Sequence, residues 1–572
     1  MSNRSLALRV HWRLFFILII FFLIALALLS RLFYLQIINY HTYIALAARQ
    51  NDSAIEPIRR GQIYFQDKDG QLIPAALNKD TYTLLAAPSQ IKEPRAAAAA
   101  LADIVSLDLT VLENKLSQRS GQYEVLVRKL DEVVADKIRA LRINGIELRK
   151  QLRRVYPSGA QAAQVLGYVS LERDKEIGRY GIEKLKDDAL SGESGILDGI
   201  ENPRDYLSGV AKRILRPSTS GKNIILTIDA NIQQEAEIEL AAVTKKYKSE
   251  SGSMTVIEPE TGRILAMAGA PSFDPNSYNT AEDLGVFLNR VVQSSYELGS
   301  VMKPITMAAG INEKVVTPDT TYNDTGEVRI KGSTVRNFDN QGHGIQTMAG
   351  VLAKSLNTGA VFVEQKLGQD KMLSYLKAFG FGEKTGIDLP GEISGNISNL
   401  DNHRDIDYAT ASFGQGIAVT PLQMATALSV IANGGNLMKP YIVDRIVDES
   451  GVTETFAPVV RRRVLSPETA DTVSRMLVSV VDNGFEHRAR IDGYFIAGKT
   501  GTAQLPVGGV YSTDQFIHSF MGYAPAFNPK FLIFIQMNKP EGVNFASNSL
   551  TETFHSMTEY IIRYYGILPD RI

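Results

Sequence analysis

The chain has 572 residues, more than one hydrophobic core ordinarily supports, so more than one domain is expected. Its 61 basic side chains balance 62 acidic ones, which leaves no electrostatic footprint for nucleic acid. Cysteine is absent, excluding disulfides, thiolate zinc sites, a cysteine nucleophile and lipoprotein acylation together. The seven histidines lack the i, i+4 spacing that puts two ligands on one helix face. No metal and no cofactor is expected.

The first predicted element is a transmembrane helix over residues 14–35. Leu14 to Leu29 is an unbroken apolar run that resumes at Leu32, Phe33 and Leu35, and about 20 such residues cross a bilayer. Arg31 can snorkel, and Trp12 and Tyr34 stand where interfacial aromatics belong. Arg4, Arg9 and Arg13 precede the span, which predicts a cytoplasmic tail over residues 1–13 and everything after the span on the outer side. A cleaved signal peptide is the alternative, because Ala25-Leu26-Ala27 resembles a cleavage site; the apolar run continues past it without a polar spacer.

Residues 53–91 read as strands and turns: Gln62 to Phe65, the polar turn Asp67 to Gly70, Leu72-Ile73, and Tyr82 to Leu85. Between Pro94 and Leu148 the apolar spacing turns helical, at Ala96 to Leu101, Val111-Leu112-Leu116 and Val133-Val134-Ile138-Leu141. Residues 36–218 are therefore expected to form a mixed, initially β-rich stalk. The polar stretch Pro217 to Gly221 before the strand Asn223 to Ile228 marks the main boundary. Residues 219–572 then alternate helical patterns (Ile232 to Val243, Gly350 to Leu367, Pro421 to Ile431, Ala470 to Val481) with strands such as Ser253 to Ile257 and Phe531 to Met537. The fold class predicted is α+β.

Three short segments carry groups that could do chemistry, a nucleophile beside an amine and two sets of ligand-binding side chains. In Ser300-Val301-Met302-Lys303 a hydroxyl and an amine three positions apart share one helix face, and an amine kept neutral can take the serine proton. Val301, Met302 and Ile305 would desolvate that amine. Ser355-Leu356-Asn357 places a second hydroxyl beside a carboxamide that both donates and accepts. Lys499-Thr500-Gly501-Thr502 follows a strand-like run, and on an edge strand its amine and hydroxyls suit a carboxylate while Gly501 permits close backbone approach. Each pattern has a decoy: Ser89-Gln90-Ile91-Lys92, Ser394-Gly395-Asn396 and Lys384-Thr385-Gly386.

Order and context separate the first set from the decoys. Serine-lysine, serine-x-asparagine and lysine-threonine-glycine in that sequence resemble the signature of penicillin-recognising serine enzymes. Glu297 to Pro304, Lys354 to Gly359 and Ala497 to Gln504 look like the active-site boxes of class B, monofunctional penicillin-binding proteins. Arg153 to Pro157, Tyr180 to Lys184, Val256 to Gly262 and Phe413 to Pro421 add to the likeness, which runs from the apolar anchor to the last helix. Two positions depart from it: Leu298 stands where the family usually has proline, and an aspartate common near Phe65 is missing.

The resemblance implies a pedestal, or dimerisation-type, domain over 36–218 and a penicillin-binding, β-lactamase-like transpeptidase domain over 219–572, with an antiparallel sheet flanked by helices. It implies a peptidoglycan D,D-transpeptidase inhibited by β-lactams. Ser300 would be the nucleophile, Lys303 its proton acceptor, Ser355 a proton relay and Asn357 a ligand of the substrate's peptide backbone. Lys499, Thr500, Gly501 and Thr502 would form the carboxylate site. Expected partners are stem peptides, the lipid bilayer, a membrane-embedded glycan polymerase and division or elongation proteins. Asparagine at position 357, where elongation enzymes of many Gram-negative bacteria carry aspartate, points to division. A β-lactamase, a penicillin-sensing receptor and a non-catalytic scaffold of the wall machinery are the competing readings.

Overall fold

The computed structural model describes residues 3–35, 59–118, 123–172, 175–192, 219–484, 487–508 and 510–571, with side chains in the first segment described from Leu18. Residues 36–58 of the expected stalk, Pro217 and Ser218 of the expected boundary, and the side chains of Trp12, Arg4, Arg9 and Arg13 lie outside the described residues. Residues 1–57 and 58–572 are two separate units.

In the first unit, helix α1 runs Asn3–Phe33. Leu18, Phe21, Phe22, Leu28, Leu29 and Phe33 along it are all exposed. Among the described residues no helix is long and apolar enough to cross a membrane.

The second unit opens with strands β1 (Ile63–Gln66) and β2 (Leu72–Ala86), joined by the turn whose Asp67 carboxylate accepts from the backbone N–H of Asp69 and Gln71. Helices α2 (Pro94–Val105) and α3 (Leu109–Ser117) follow, then β3 (Glu124–Leu130), α4 (Glu132–Ala140) and β4 (Ile146–Val155). Asp108 and Asp131 cap α3 and α4 by accepting from their first-turn N–H groups. Leu84, Leu101, Leu112, Leu116 and Ile138 form a separate small core for this part.

The remainder begins with β5 (Asn223–Asp229), α5 (Ala230–Lys246), β6 (Ser251–Ile257) and β7 (Ile264–Ala270). Then come α6 (Lys303–Asn312), β8 (Thr321–Asp324), the hairpin β9 (Glu327–Ile330) and β10 (Ser333–Arg336), α7 (Met348–Ala353), α8 (Asn357–Leu367) and α9 (Pro421–Ala432). The chain ends through β11 (Val443–Asp448), β12 (Gly451–Thr455), α10 (Pro467–Asn483), β13 (Ala497–Val507), β14 (Val510–Ala524), β15 (Phe531–Asn538) and α11 (Thr551–Tyr565).

Five strands form an antiparallel sheet in the order β13-β14-β15-β6-β7. Every residue of β6 and β15 is buried, as befits central strands covered on both faces. Alternate side chains go to opposite cores. Met521, Tyr523, Leu532 and Phe534 join Leu422 and Leu428 of α9 and Leu477 of α10. Phe520, Ile533 and Ile535 join Leu240 of α5 with Phe554 and Met557 of α11. This is the antiparallel sheet flanked by helices that the sequence resemblance implies.

A second, seven-stranded sheet crosses the expected domain boundary, in the order β12-β11-β5-β1-β2-β3 with β4 also paired to β2. β1 pairs in parallel with β5, and β5 in antiparallel with β11. Beside this seam lies a buried ion cluster built from Arg60 and two of the family-like segments, Arg153 to Pro157 and Tyr180 to Lys184. Fully buried Glu183 accepts from Arg60 Nε at 2.8 Å, Arg154 Nε at 2.6 Å and the Tyr156 hydroxyl at 3.2 Å. Arg60 also meets Asp187 at 2.7 Å, and Arg154 Nη1 donates to the Gly61 carbonyl at 2.7 Å. Removing the one fully buried anion leaves two desolvated guanidiniums facing each other. Glu183→Ala is therefore expected to cost about 3–5 kcal/mol of stability, measured by urea unfolding of residues 59–572 followed by fluorescence; a loss under about 1 kcal/mol would contradict this account of the seam.

Candidate active site

The nucleophile candidate sits on a single 3₁₀ turn, Gly299–Met302, that feeds directly into α6, so Ser300 and Lys303 straddle a helix start instead of lying within one long helix. Leu298, Val301 and Met302 are buried around it. Lys303 is itself buried at 1% exposure, and its Nζ donates to the Ser355 carbonyl at 2.5 Å and lies 3.3 Å from Ser355 Oγ. The first and second motifs thus meet through a direct contact.

The helical pattern Gly350 to Leu367 is interrupted at this place. α7 stops at Ala353, and Ser355 adopts φ +56°, a left-handed conformation unusual for a residue with a Cβ. Leu356 N–H donates to the Val351 carbonyl (3.0 Å) and Ser355 N–H to that of Leu352 (3.2 Å), the 6→1 and 5→2 pair of a Schellman ending. α8 restarts at Asn357, whose Nδ2 donates to the Arg336 carbonyl at 2.9 Å. Periodicity alone ran the two helices together because the break contains neither glycine nor proline.

The third motif lies on β13, which is an edge strand as expected. It closes on the turn bearing Ser300 so tightly that side chains are excluded on both partners. A Cβ on Gly299 would lie 2.7 Å from the Thr502 carbonyl oxygen, and one on Gly501 would lie 2.4 Å from the Leu298 carbonyl oxygen and 2.3 Å from Ser519 Oγ. Gly501 is therefore needed to admit the turn bearing Ser300 on its own face of the strand. Lys499 shares that face by the two-residue period, is fully buried, and has Nζ 3.3 Å from the Thr500 carbonyl. Thr500 and Thr502 occupy the opposite face, where Thr502 Oγ1 accepts from Ala546 N–H at 3.1 Å. Next to these walls, Phe338 and Phe545 stand edge-to-face with centroids 5.7 Å apart, both half-exposed.

The decoys go elsewhere. Ser89 lies in a short turn of the first part of the unit, Pro88–Gln90. Ser394 gives its carbonyl to Gln423 Nε2 at 2.8 Å, and Thr385 and Gly386 are folded round the Glu392 carboxylate.

Two groups of supporting residues are not among the site residues predicted from sequence, although Thr358 lies within the Lys354 to Gly359 segment. Asp324, Asn337 and Thr358 form a buried polar cluster under Asn357, and His518 lies opposite Thr502 on β14. His518 stands out in sequence only as a polar residue among Phe516, Ile517, Phe520 and Met521, a signal many satisfied core residues share, and Asp324 and Asn337 lie in polar stretches that give no signal at all.

Residues 252–559, more than half of the chain, match the penicillin binding protein transpeptidase domain, and residues 55–226 match the penicillin-binding protein dimerisation domain. The chain belongs to the penicillin-binding protein transpeptidase family. It is a class B penicillin-binding protein, a serine-type D,D-transpeptidase. Stage V sporulation protein D of Bacillus subtilis is 32% identical over 540 residues, 93% of this chain and 82% of that one. The probable peptidoglycan D,D-transpeptidase PenA of Neisseria meningitidis is 30% identical over 547 residues, 92% and 88% of the two chains. The crystal structure of penicillin binding protein 3 from Mycobacterium tuberculosis, complexed with aztreonam, superposes with a TM-score of 0.68 at 26% identity, covering 90% of this penicillin-binding protein and 97% of that chain.

Beneath the carboxylate-site candidates, His518 is fully buried, with Nδ1 2.8 Å from Ser549 Oγ, and burial pushes its imidazole down to about 4. Its folded value lies below the ordinary 6.5, so the unfolded chain binds the extra proton between these limits. The stability tied to His518 is full above pH 6.5 and is lost as pH falls towards 4. Two carboxyls, half-buried Glu237 and buried Glu364, are raised by desolvation to about 7 and act in the opposite sense, losing stability as pH rises from 4.5 to 7. They are common to parent and variant. His518→Gln should therefore flatten the fall in unfolding free energy between pH 6.5 and 4 by up to about 3 kcal/mol relative to the parent, read from urea titrations at fixed pH values; parallel curves would refute it.

Proposed function

We propose that this class B penicillin-binding protein cross-links peptidoglycan through an acyl-enzyme on Ser300. Ser300 Oγ attacks the carbonyl between the two terminal D-alanines of a stem peptide, and its proton passes to Lys303. The C–N bond breaks with Ser355 relaying a proton to the departing D-alanine amine. The amine of a neighbouring stem peptide then attacks the ester, loses its proton, and frees Ser300 as the cross-link forms. The observation that supports this best is the convergence of three distant segments: Lys303 on Ser355, and Gly299 on Thr502.

Each other residue takes a role set by its place. Asn357 hydrogen-bonds the substrate backbone. Thr500 and Thr502, together on one face of an edge strand, hold the terminal carboxylate with Lys499 supplying positive charge, and Gly501 lets the strand close. The N–H groups of Ser300 and Thr502 form the oxyanion hole, where losing one donor typically costs about 10²–10³ in rate. β-Lactams, which place a strained amide where the D-alanyl peptide bond sits, acylate the same hydroxyl.

The membrane reading rests on the apolar run of α1, whose described side chains are exposed along its length. We place a cytoplasmic tail at 1–13, the span at 14–35, the pedestal at 36–218 and the transpeptidase domain at 219–572, the last two outside the cytoplasmic membrane. Asn357 favours the division role over elongation, with a membrane-embedded glycan polymerase as partner.

Incubation with a fluorescent penicillin is expected to label the parent chain stably and to leave Ser300→Ala unlabelled at an unchanged melting temperature; rapid turnover to hydrolysed drug would instead assign a hydrolase. Deleting residues 1–35 should move the labelled protein from the membrane pellet to the supernatant, and retention in the pellet would remove the proposed span.

A further inference from the structure

α8 begins without a cap of its own. Its Ncap residue is Leu356, which has no acceptor to offer the exposed N–H groups of the first turn. The missing acceptor comes from Asn337, 21 residues earlier: Thr358 N–H donates to Asn337 Oδ1 at 3.2 Å. Asn337 is in turn fixed by Asp324, to which its Nδ2 donates at 2.9 and 3.1 Å. Asp324 also accepts from Thr358 Oγ1 at 2.8 Å, Gly326 N–H at 3.0 Å and His343 N–H at 3.2 Å. All three side chains are at most 2% exposed. Tyr322 adds a hydroxyl 3.1 Å from Thr358 Oγ1.

This cluster has an address. Asn337 directly follows Arg336, whose carbonyl holds the Asn357 carboxamide, and Thr358 directly follows Asn357. The side chain assigned to the substrate backbone is thus gripped from both flanks by one buried carboxylate. The same turn carries Ser355 in its left-handed conformation, which for a residue with a Cβ costs about 1–2 kcal/mol and persists only where the surroundings over-determine it. The Schellman bonds fix the α7 side of Ser355; the α8 side has no comparable local fixing, because Leu356 offers none.

The geometry points to Asp324, Asn337 and Thr358 as positioning residues of the transpeptidase site, a remote cap that holds Asn357 at the substrate backbone and Ser355 against Lys303. They touch no reacting atom; they act through the turn they brace. The inference rests on the acyl-enzyme reading of Ser300.

The test is the kinetics of acylation by a fluorescent penicillin, resolving apparent dissociation constant from acylation rate, with melting temperatures alongside. Thr358→Val removes the hydroxyl's contacts with Asp324, Asn337 and Tyr322 while keeping shape and the Thr358 N–H bond to Asn337, and Thr358→Ser restores them. Thr358→Val and Asn337→Ala are expected to lower the second-order acylation constant about 10–100-fold, the size of effect that a misplacement of order 1 Å produces. Thr358→Ser should stay within about threefold of the parent, a margin set by the near-additivity error of such measurements. Both impaired variants should show the same split between binding and acylation as Asn357→Ala, and Asn337→Ala combined with Asn357→Ala should be no slower than the worse single variant. Additive losses in the double variant, or melting temperatures that fall while acylation is unchanged, overturn the positioning role. A parent chain that is not acylated at all overturns the acyl-enzyme reading itself, so the two failures are distinct.

Discussion

Everything at the candidate site depends on how closely an edge strand can approach a helical turn. The backbone of β13 and the turn bearing Ser300 come together at distances where a single methyl group on either Gly299 or Gly501 would collide with a carbonyl oxygen. That apposition brings the lysine-threonine-glycine strand beside the serine, and it buries Lys303 and Lys499 in the same step. Two amines hidden so deeply must be held by oxygen acceptors, and both are: Lys303 by Ser355, Lys499 by the Thr500 carbonyl. Packing and chemistry are one constraint here.

The serine-lysine, serine-x-asparagine and lysine-threonine-glycine motifs were readable in the chain because their order and neighbours are specific even though each alone has a decoy. The strands β6 and β15 were equally legible as short apolar runs. The break at Ser355 was not, since propensity expects glycine at a left-handed helix ending and finds serine. Nor was the Asp324 cluster, whose members lie 13 and 34 positions apart and show no period. The purpose of Gly501 was legible only in part: its lack of a side chain matters on the face turned to Leu298. Long-range polar pairing leaves no local trace, because a buried asparagine and an exposed one are written with the same letter.

The division of the chain into pedestal and catalytic parts is likewise simpler in sequence than in space. Composition shifts near residue 218, yet β5 and β11 from beyond that point complete a sheet begun by β1 to β4. The Arg60, Arg154 and Glu183 cluster sits at the same seam, so main-chain pairing and ion pairing reinforce each other there.

A parallel pair of strands shared between two parts of a molecule behaves mechanically as a weld. Tension applied to residues 63–66 along the strand axis would load the β1–β5 hydrogen bonds together in shear, whereas a loop connection would stretch and absorb it. β5 in turn leads at the very next residue into α5, which packs against the five-stranded sheet, so main-chain bonds tie residues 63–66 to that sheet.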